Sequence, residues 1–293
     1  MKHYNIIIIG GGISGLTAAI YSSRAGKSVL VIEGSGIGGQ IATSPTVENY
    51  PGFEKISGLE LSDRLYSQAD ALGAEIDFDT AVKIIPGKPC TVTTEYSEYS
   101  CDSLIIATGA HHRRAGLDRE EELTGKGISY CAVCDGALYK GKTVAVLGGG
   151  NTALTAAIYL SAICHKVYLI HRRDTYRADE ELVERVANTE NIIQKKSSRV
   201  ENLYGGNELE GISVNGERLD TSALFVCVGQ VPSSTLVDGL LELDHGGYII
   251  SDESCRTKYD NIFVCGDVRT KSARQLTTAA ADGTVAALGA CKF

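Results

Sequence analysis

Two cysteines three positions apart are the residues of this sequence best suited to chemistry. Cys131 and Cys134 form a C-x-x-C motif, and Asp135 follows directly. At the start of a helix, unsatisfied backbone amides and the helix dipole stabilise a thiolate, so such a pair cycles easily between dithiol and disulfide. A neighbouring carboxylate gives a thiolate no electrostatic help, and its expected role is proton transfer to the departing thiolate.

The other cysteines and the overall composition exclude several classes of protein. The nine cysteines are odd in number, and no second C-x-x-C or C-x-x-H pair completes a zinc site, so we expect no metal. A reducing, cytoplasmic compartment with one redox-active pair is the better interpretation. The net charge of −8 without a basic stripe argues against nucleic acid as a partner. No apolar run approaches the roughly 18 residues of a membrane helix.

The N-terminal segment has the pattern of a dinucleotide-binding unit. The apolar run "IIII" leads into "GGGISG", a helical segment follows, and a second apolar run ends on Glu33. Gly10 permits the tight turn, Gly12 lets the backbone approach a pyrophosphate, and Gly15 allows close helix packing. This order of strand, turn, helix and strand predicts the first βαβ unit of a Rossmann-like fold.

The same pattern recurs 14 residues after the second thiol. Gly148, Gly150 and Ala153 occupy the three positions of the turn. Each copy spans 23 residues from its first glycine to the end of its second strand, at Glu33 in one and His171 in the other. The matched spacing indicates an internal duplication.

The two copies differ in the residues that end them. Glu33 suits the free hydroxyl pair of a ribose and predicts FAD in the first copy. The second copy ends in "HRRDTYR", where Arg172, Arg173 and Arg177 offer bidentate cationic groups to a phosphate. The second site is therefore expected to bind NADPH.

A later segment returns to the chemistry of the first copy. "NIFVCGDV" ends in Gly266 and Asp267, a carboxylate placed to face a polyol. We therefore predict an α/β protein with two Rossmann-like dinucleotide-binding domains of the three-layer ββα type, the second inserted into the first. Residues 1–111 and 234–293 are expected to form the FAD-binding domain. Residues 112–233 are expected to form the inserted NADPH-binding domain, which carries the dithiol and is joined to the first domain by a two-strand hinge.

The position of the dithiol predicts a moving domain. Electrons must pass from nicotinamide to flavin to disulfide, because hydride is a two-electron carrier and thiol exchange needs a dithiol acceptor. A disulfide on the NADPH domain can reach the flavin only when the inserted domain is suitably rotated.

Taken together, these motifs resemble those of the bacterial low-molecular-weight thioredoxin reductases. "GGGISG", "GGQ", "VENYPGF", "ATGA", "CAVCDG", "GGGNTA", "HRRDTYRA" and "GDVRTKSARQ" follow in the family's order and cover essentially the whole chain. The resemblance implies a homodimeric NADPH-dependent enzyme. Hydride would pass from NADPH to FAD and then to the Cys131–Cys134 disulfide, and thiol–disulfide exchange with oxidised thioredoxin would follow.

The resemblance also assigns roles to residues of this sequence. Cys134 would face the flavin, Cys131 would attack the thioredoxin disulfide, and Asp135 would act as acid. The implied FAD-binding residues are Gly10, Gly12, Ser14, Gly15, Glu33, Gly34, Gly38, Gly39, Gln40, Asn49, Thr108, Gly109, Asp267, Arg274 and Gln275. The implied NADPH-binding residues are Gly150, Asn151, Thr152, His171, Arg172, Arg173 and Arg177.

One departure from the family keeps alternatives open. Many members have one or two acids after the second glycine turn, as in "AVEEA", whereas this chain has "ALTAAIYL". A different acceptor, such as a peroxiredoxin-reducing or glutaredoxin-like protein, fits the same chemistry. A ferredoxin-fed or oxygen-using dithiol flavoprotein is a second alternative, although it would be expected to lack the arginines. A flavin-bound redox sensor without turnover is a third.

Overall fold

The chain forms two compact units. The computed structural model describes residues 1–293. The first unit comprises Met1–His111 and Val231–Phe293, and the second comprises His112–Gln230. The second unit is thus inserted in the sequence of the first.

Seventeen strands and six α-helices make up the two units. The first stretch contains β1 (Lys2–Ile9), α1 (Ile13–Arg24), β2 (Val29–Ile32), α2 (Gly58–Ala71), β3 (Glu75–Asp77), β4 (Ala81–Ile85), β5 (Cys90–Thr94), β6 (Glu98–Ile106) and β7 (Ala110–His112). The middle stretch contains β8 (Ile128–Ser129), α3 (Ala132–Asp135), β9 (Thr143–Leu147), α4 (Asn151–Ser161), β10 (Lys166–Ile170), α5 (Glu180–Ala187), β11 (Ile192–Lys195), β12 (Val200–Tyr204), β13 (Gly211–Val214), β14 (Glu217–Asp220) and β15 (Ala223–Val226). The last stretch contains β16 (Gln230–Pro232), β17 (Ile262–Val264) and α6 (Leu276–Ala290).

The sheet of the first unit has seven strands. Its order is β3-β2-β1-β6-β5-β4, and β17 also pairs with β6. β3, β2, β1, β6 and β17 pair in parallel, whereas β4 and β5 pair antiparallel with their neighbours. The parallel strands bring several carboxyl ends to one edge, where ligands bind in this class of sheet.

The run of four isoleucines in β1 is buried on both faces of this sheet. Ile6 and Ile8 pack with alanines of α1 and α6, while Ile7 and Ile9 pack into the cluster that contains Val92 of β5. Successive side chains of a strand point to opposite faces, so a strand covered on both sides is apolar throughout. The continuous apolar run is therefore explained by layers on both faces.

The second unit repeats this arrangement. Its main sheet has the order β11-β10-β9-β15-β8 and is entirely parallel, and β12, β13 and β14 form a separate antiparallel sheet. Val144 and Val146 of β9 pack with α4, whereas Ala145 packs with Ile212 of the antiparallel sheet. Helix on one face and antiparallel strands on the other confirm the expected fold class.

Two short strands carry the chain between the units. β7 and β16 pair as a two-stranded sheet, and each contains one of the two crossings. None of the helices combines the length and apolar character needed to span a bilayer.

Candidate active site and nucleotide loops

The two cysteines of the C-x-x-C motif form a disulfide at the start of α3. Cys131 is the N-cap residue of this helix, and its Sγ accepts a hydrogen bond from the backbone amide of Cys134 at 3.2 Å. Cys134 and the neighbouring Val133 are exposed, whereas Cys131 is half-buried. The disulfide is therefore open to a second reactant, and the helix-start geometry predicted for the first cysteine is observed.

Asp135 lies in an environment that favours its protonated form. Desolvation raises the pKa of its carboxyl group, and a hydrogen bond from Ser129 opposes this rise. Ser129 Oγ donates to Asp135 Oδ2 at 2.6 Å and accepts from the backbone amide of Cys131 at 3.1 Å. One hydroxyl group thus connects the candidate acid to the backbone of the first cysteine.

The first glycine turn leaves open the space that a pyrophosphate needs. A Cβ on Gly10 would lie 2.3 Å from the carbonyl oxygen of Ala107, and one on Gly15 would lie 1.9 Å from that of Gly10. A Cβ on Gly12 would meet nothing closer than 4.0 Å. Gly12 is the N-cap of α1, and no side chain caps this helix, so its first amides are available to an anion.

Glu33 is held at the end of β2 by backbone amides. Its Oε2 accepts from Gly11 at 2.6 Å, and its Oε1 accepts from Ser35 at 2.6 Å and Gly36 at 3.0 Å. Each carboxylate oxygen has two lone pairs, so Oε2 keeps one free for a ribose hydroxyl. The side chain is therefore both fixed and still able to accept.

Asp267 provides the clearest sign that a polar ligand belongs in the first unit. Its Oδ1 is buried and has no hydrogen-bond partner, and desolvation raises the pKa of its carboxyl group. Arg274 Nε donates to the backbone oxygen of Asp267 at 3.2 Å. A buried carboxyl oxygen without a partner is costly unless a ligand completes it. A flavin nucleotide with its hydroxylated chain fits this requirement.

The remaining residues expected to bind FAD lie in loops of the same unit. Asn49 Nδ2 and Gln275 Oε1 lie 3.5 Å apart, and Gln275 caps α6. Gln40 donates to the backbone oxygen of Ala110, and Thr108 Oγ1 donates to that of Ser233 at 2.7 Å.

The glycines after β2 lie in a loop that contacts the first glycine turn. The amide of Gly38 donates to the carbonyl of Gly11 at 2.9 Å. This hydrogen bond joins the loop after β2 to the first glycine turn. The other predicted positions lie as follows: Ser14 is buried in the first turn of α1, Gly34 lies against Thr80, Gly39 starts a short 3₁₀ helix, and Gly109 has a φ of +71°.

The second glycine turn has the same design as the first. A Cβ on Gly148 would lie 2.4 Å from the carbonyl oxygen of Cys227, and Ala153 packs at the third position. A Cβ on Gly150 would meet nothing within 4 Å, and Gly150 is the N-cap of α4 without a capping side chain. The second unit therefore also has an open helix start.

The residues after β10 form a cationic surface beside this turn. His171 is buried with its Nε2 unpartnered, and burial lowers the pKa of its imidazole, as do the nearby arginines. Arg172, Arg173 and Arg177 are exposed, and none has a carboxylate within 4.0 Å. Three unpaired guanidinium groups are available to a phosphate.

Asn151 and Thr152 differ in how the structure uses them. Asn151 Nδ2 donates to Asp179 Oδ2 at 2.8 Å, and the backbone amide of Asp179 donates to Asn151 Oδ1 at 2.9 Å. The Asn151 amide therefore joins the starts of α4 and α5, while Thr152 is exposed.

A buried ion cluster in the first unit was not identified from the sequence. Asp282 accepts from Arg269 at 2.8 and 2.9 Å and from Lys271 at 2.8 Å. It also accepts from the amide of Gly266 at 3.0 Å. Burial alone would raise the pKa of Asp282, but the two cations outweigh burial and lower it. The cluster holds the turn that presents Asp267.

Known proteins match this chain over nearly its full length. The family model described as pyridine nucleotide-disulphide oxidoreductase matches residues 4–283. A thioredoxin reductase from Listeria monocytogenes is 42% identical over 300 residues, which cover 100% of this chain and 94% of that protein. One from Bacillus subtilis is 41% identical over 294 residues, covering 98% of this chain and 93% of that protein. The crystal structure of a Streptococcus pyogenes thioredoxin reductase superposes with a TM-score of 0.95 at 37% identity, covering 99% of this chain and 97% of that one.

The fold, the disulfide and the two glycine turns define an oxidoreductase that uses a flavin and a nicotinamide nucleotide. The chain belongs to the pyridine nucleotide-disulphide oxidoreductase family, and within it to the thioredoxin reductases.

Proposed function

We propose that the protein is an NADPH-dependent thioredoxin reductase with FAD in the first unit and NADPH in the second. The observation that carries the proposal is the accessible Cys131–Cys134 disulfide beside the half-buried, hydrogen-bonded Asp135. It lies in the same unit as a glycine turn with an open helix start. The relatives named thioredoxin reductase support thioredoxin as the acceptor.

We propose the following roles for the site residues. For FAD, we propose the first glycine turn, Glu33, the loop from Gly34 to Gln40, Asn49, Thr108 with Gly109, and Asp267 with Arg274 and Gln275. For NADPH, we propose Gly150, Thr152, His171 and the three arginines, whose guanidinium groups have no carboxylate partner. Asn151 contributes indirectly, because its side chain already binds Asp179.

When bound, FAD and NADPH supply the electron pair that reduces the disulfide. The Cys131 thiolate then attacks one sulfur of the thioredoxin disulfide, and the other sulfur leaves as a thiolate that takes a proton. Cys134 next attacks Sγ of Cys131, which restores the disulfide and releases the second thioredoxin thiolate. Asp135, whose pKa is raised by burial, supplies a proton to a departing thiolate.

We further propose a cytoplasmic homodimer. Seven free cysteines, five of them buried, suit a reducing compartment. The dimer is proposed from the resemblance to the thioredoxin reductases.

The arginines distinguish this proposal from a ferredoxin-fed flavoprotein on the same scaffold. The decisive experiment mixes the purified FAD-loaded protein anaerobically with NADPH, and separately with NADH, and follows the visible flavin absorption by stopped flow. We expect rapid bleaching by NADPH and little by NADH. Bleaching by neither would overturn NADPH as the donor and favour a ferredoxin-like protein.

A further inference from the structure

A second pair of cysteines lies far from the C-x-x-C motif in sequence. Cys90 is the first residue of β5, and Cys101 lies directly opposite it on the antiparallel strand β6. Both side chains are fully buried in the same core cluster of the first unit. Neither belongs to the glycine turns or to the disulfide site described above.

The register of the two strands brings these cysteines within reach of a covalent bond. Directly opposed residues on antiparallel strands have Cα atoms about 4.5–5.5 Å apart, inside the range of about 4.4–6.8 Å found for disulfides. Opposed side chains also point to the same face of the sheet. We propose that Cys90 and Cys101 form a second redox site, which a hydroperoxide oxidises to a disulfide across β5 and β6.

We assign the role of nucleophile to Cys90, because it is the cysteine that directly follows the exposed residues 87–89. The side chain of Cys101 lowers the pKa of Cys90. The Cys90 side chain and burial raise the pKa of Cys101. Burial likewise raises the pKa of Cys164, Cys227 and Cys255, so these thiols are less reactive.

The reaction balances with hydrogen peroxide as the oxidant. The Cys90 thiolate attacks one peroxide oxygen, the O–O bond breaks, and the products are a sulfenic acid at Cys90 and hydroxide, which takes a proton to form water. The thiol of Cys101 then attacks the sulfur of the sulfenic acid, the S–O bond breaks, and a second water leaves. Two thiols lose two electrons, and one peroxide gains them.

Access to the pair requires only local opening. Cys90 follows an exposed loop at residues 87–89, and the neighbouring strand β4 is at the edge of the sheet. Edge strands and loops open at lower free energy than the centre of a domain. A small peroxide can then enter where a protein disulfide cannot, so this site is chemically separate from thioredoxin reduction.

Peptide mapping of the FAD-loaded wild-type protein tests the proposal. The protein is treated with graded hydrogen peroxide, alkylated in denaturant, and cut without reduction by a glutamate-specific protease. Glu95 and Glu98 lie between the two cysteines, so cleavage leaves two peptides that only a disulfide can join. We expect this linked pair to increase with peroxide dose while Cys164 stays alkylated.

Two further results decide the mechanism. In Cys101→Ser, which lacks the second thiol, we expect no linked pair and a sulfenic acid at Cys90 that dimedone traps. The half-buried thiol of Cys291 is the reference for general oxidation. If the wild-type protein loses the Cys291 thiol while Cys90 and Cys101 remain fully alkylated, or if Cys90 is oxidised without linkage to Cys101, the proposal is overturned.

Discussion

The hydroxyl of Ser129 donates a 2.6 Å hydrogen bond to Oδ2 of Asp135, and it also accepts from the amide of Cys131. This contact fixes the position of the only carboxyl group adjacent in sequence to the disulfide. Burial raises the pKa of Asp135, and the Ser129 hydrogen bond partly offsets the rise. The proton on Asp135 is therefore under the control of a residue that no sequence motif indicates.

Replacing Asp135 with Asn should slow thioredoxin reduction by about 100-fold or more, the usual contribution of a general acid. The flavin should still be reduced by NADPH at the wild-type rate. Turnover with thioredoxin and anaerobic flavin bleaching, measured on the same preparation, separate the two steps. An unchanged turnover rate would remove Asp135 from the mechanism.

Ser129→Ala should alter the pH dependence of turnover. The protonated fraction of Asp135 falls as pH rises through its pKa, so an activity that needs this proton is lost on the alkaline side. The hydrogen bond from Ser129 lowers the pKa of Asp135. Its removal should therefore raise that pKa and move the loss of activity to higher pH. A pH profile of thioredoxin turnover in both proteins measures the shift, and movement to lower pH would contradict it.

Replacing Cys134 with Ser should separate the two halves of the reaction. Reduction of the flavin by NADPH should remain intact because the nucleotide loops are unchanged, whereas disulfide reduction should be abolished. Anaerobic bleaching and thioredoxin turnover report the two halves. Retained reductase activity would show that the assigned roles of Cys131 and Cys134 are wrong.

Replacing a single arginine of this cluster should weaken the binding of NADPH but not that of NADH. A hydrogen bond to a charged group contributes about 1.5–3 kcal/mol, so Arg172→Ala or Arg177→Ala should raise the KM for NADPH roughly 10- to 100-fold. Arg185, an exposed arginine of α5, is the matched control. Its replacement should leave the KM for NADPH and the KM for NADH unchanged. Equal losses with NADPH and NADH would indicate that these arginines do not recognise the extra phosphate.

The features of this protein that could be predicted from sequence are those decided by local backbone geometry. Gly10 and Gly148 each leave no room for a Cβ beside a carbonyl oxygen, and this requirement is visible as a glycine at a fixed spacing. The isoleucine run of β1 was equally informative because a strand buried on both faces must be apolar.

The contacts that sequence did not predict join residues from different elements. The hydrogen bond from the side-chain amide of Asn151 to Asp179, 28 positions away, is one such contact. The ion cluster of Asp282, Arg269 and Lys271 likewise depends on how α6 packs on the preceding turn. Such pairings follow from tertiary packing, and no spacing rule in a single sequence reveals them.

Replacing Asp282 with Asn should lower the free energy of unfolding of the FAD-loaded protein by about 3–5 kcal/mol, because Arg269 and Lys271 would remain buried without their partner. Urea denaturation measures the loss. Since the pKa of Asp282 is lowered from 3.8 in the folded protein, the difference from wild type should be full above that pH and shrink as pH falls below it. Glu253→Gln is the control, because this side chain is 91% exposed and its change should stay within about 0.5 kcal/mol. A similar midpoint for Asp282→Asn and wild type would contradict the structural role of the cluster.

The most direct test of the proposed function is the steady-state oxidation of NADPH by the purified protein with oxidised thioredoxin as the only acceptor. The account predicts multiple turnovers that require thioredoxin, are much slower with NADH, and disappear in Cys134→Ser. Flavin reduction by NADPH without any thioredoxin-dependent turnover would contradict it and point to another disulfide acceptor.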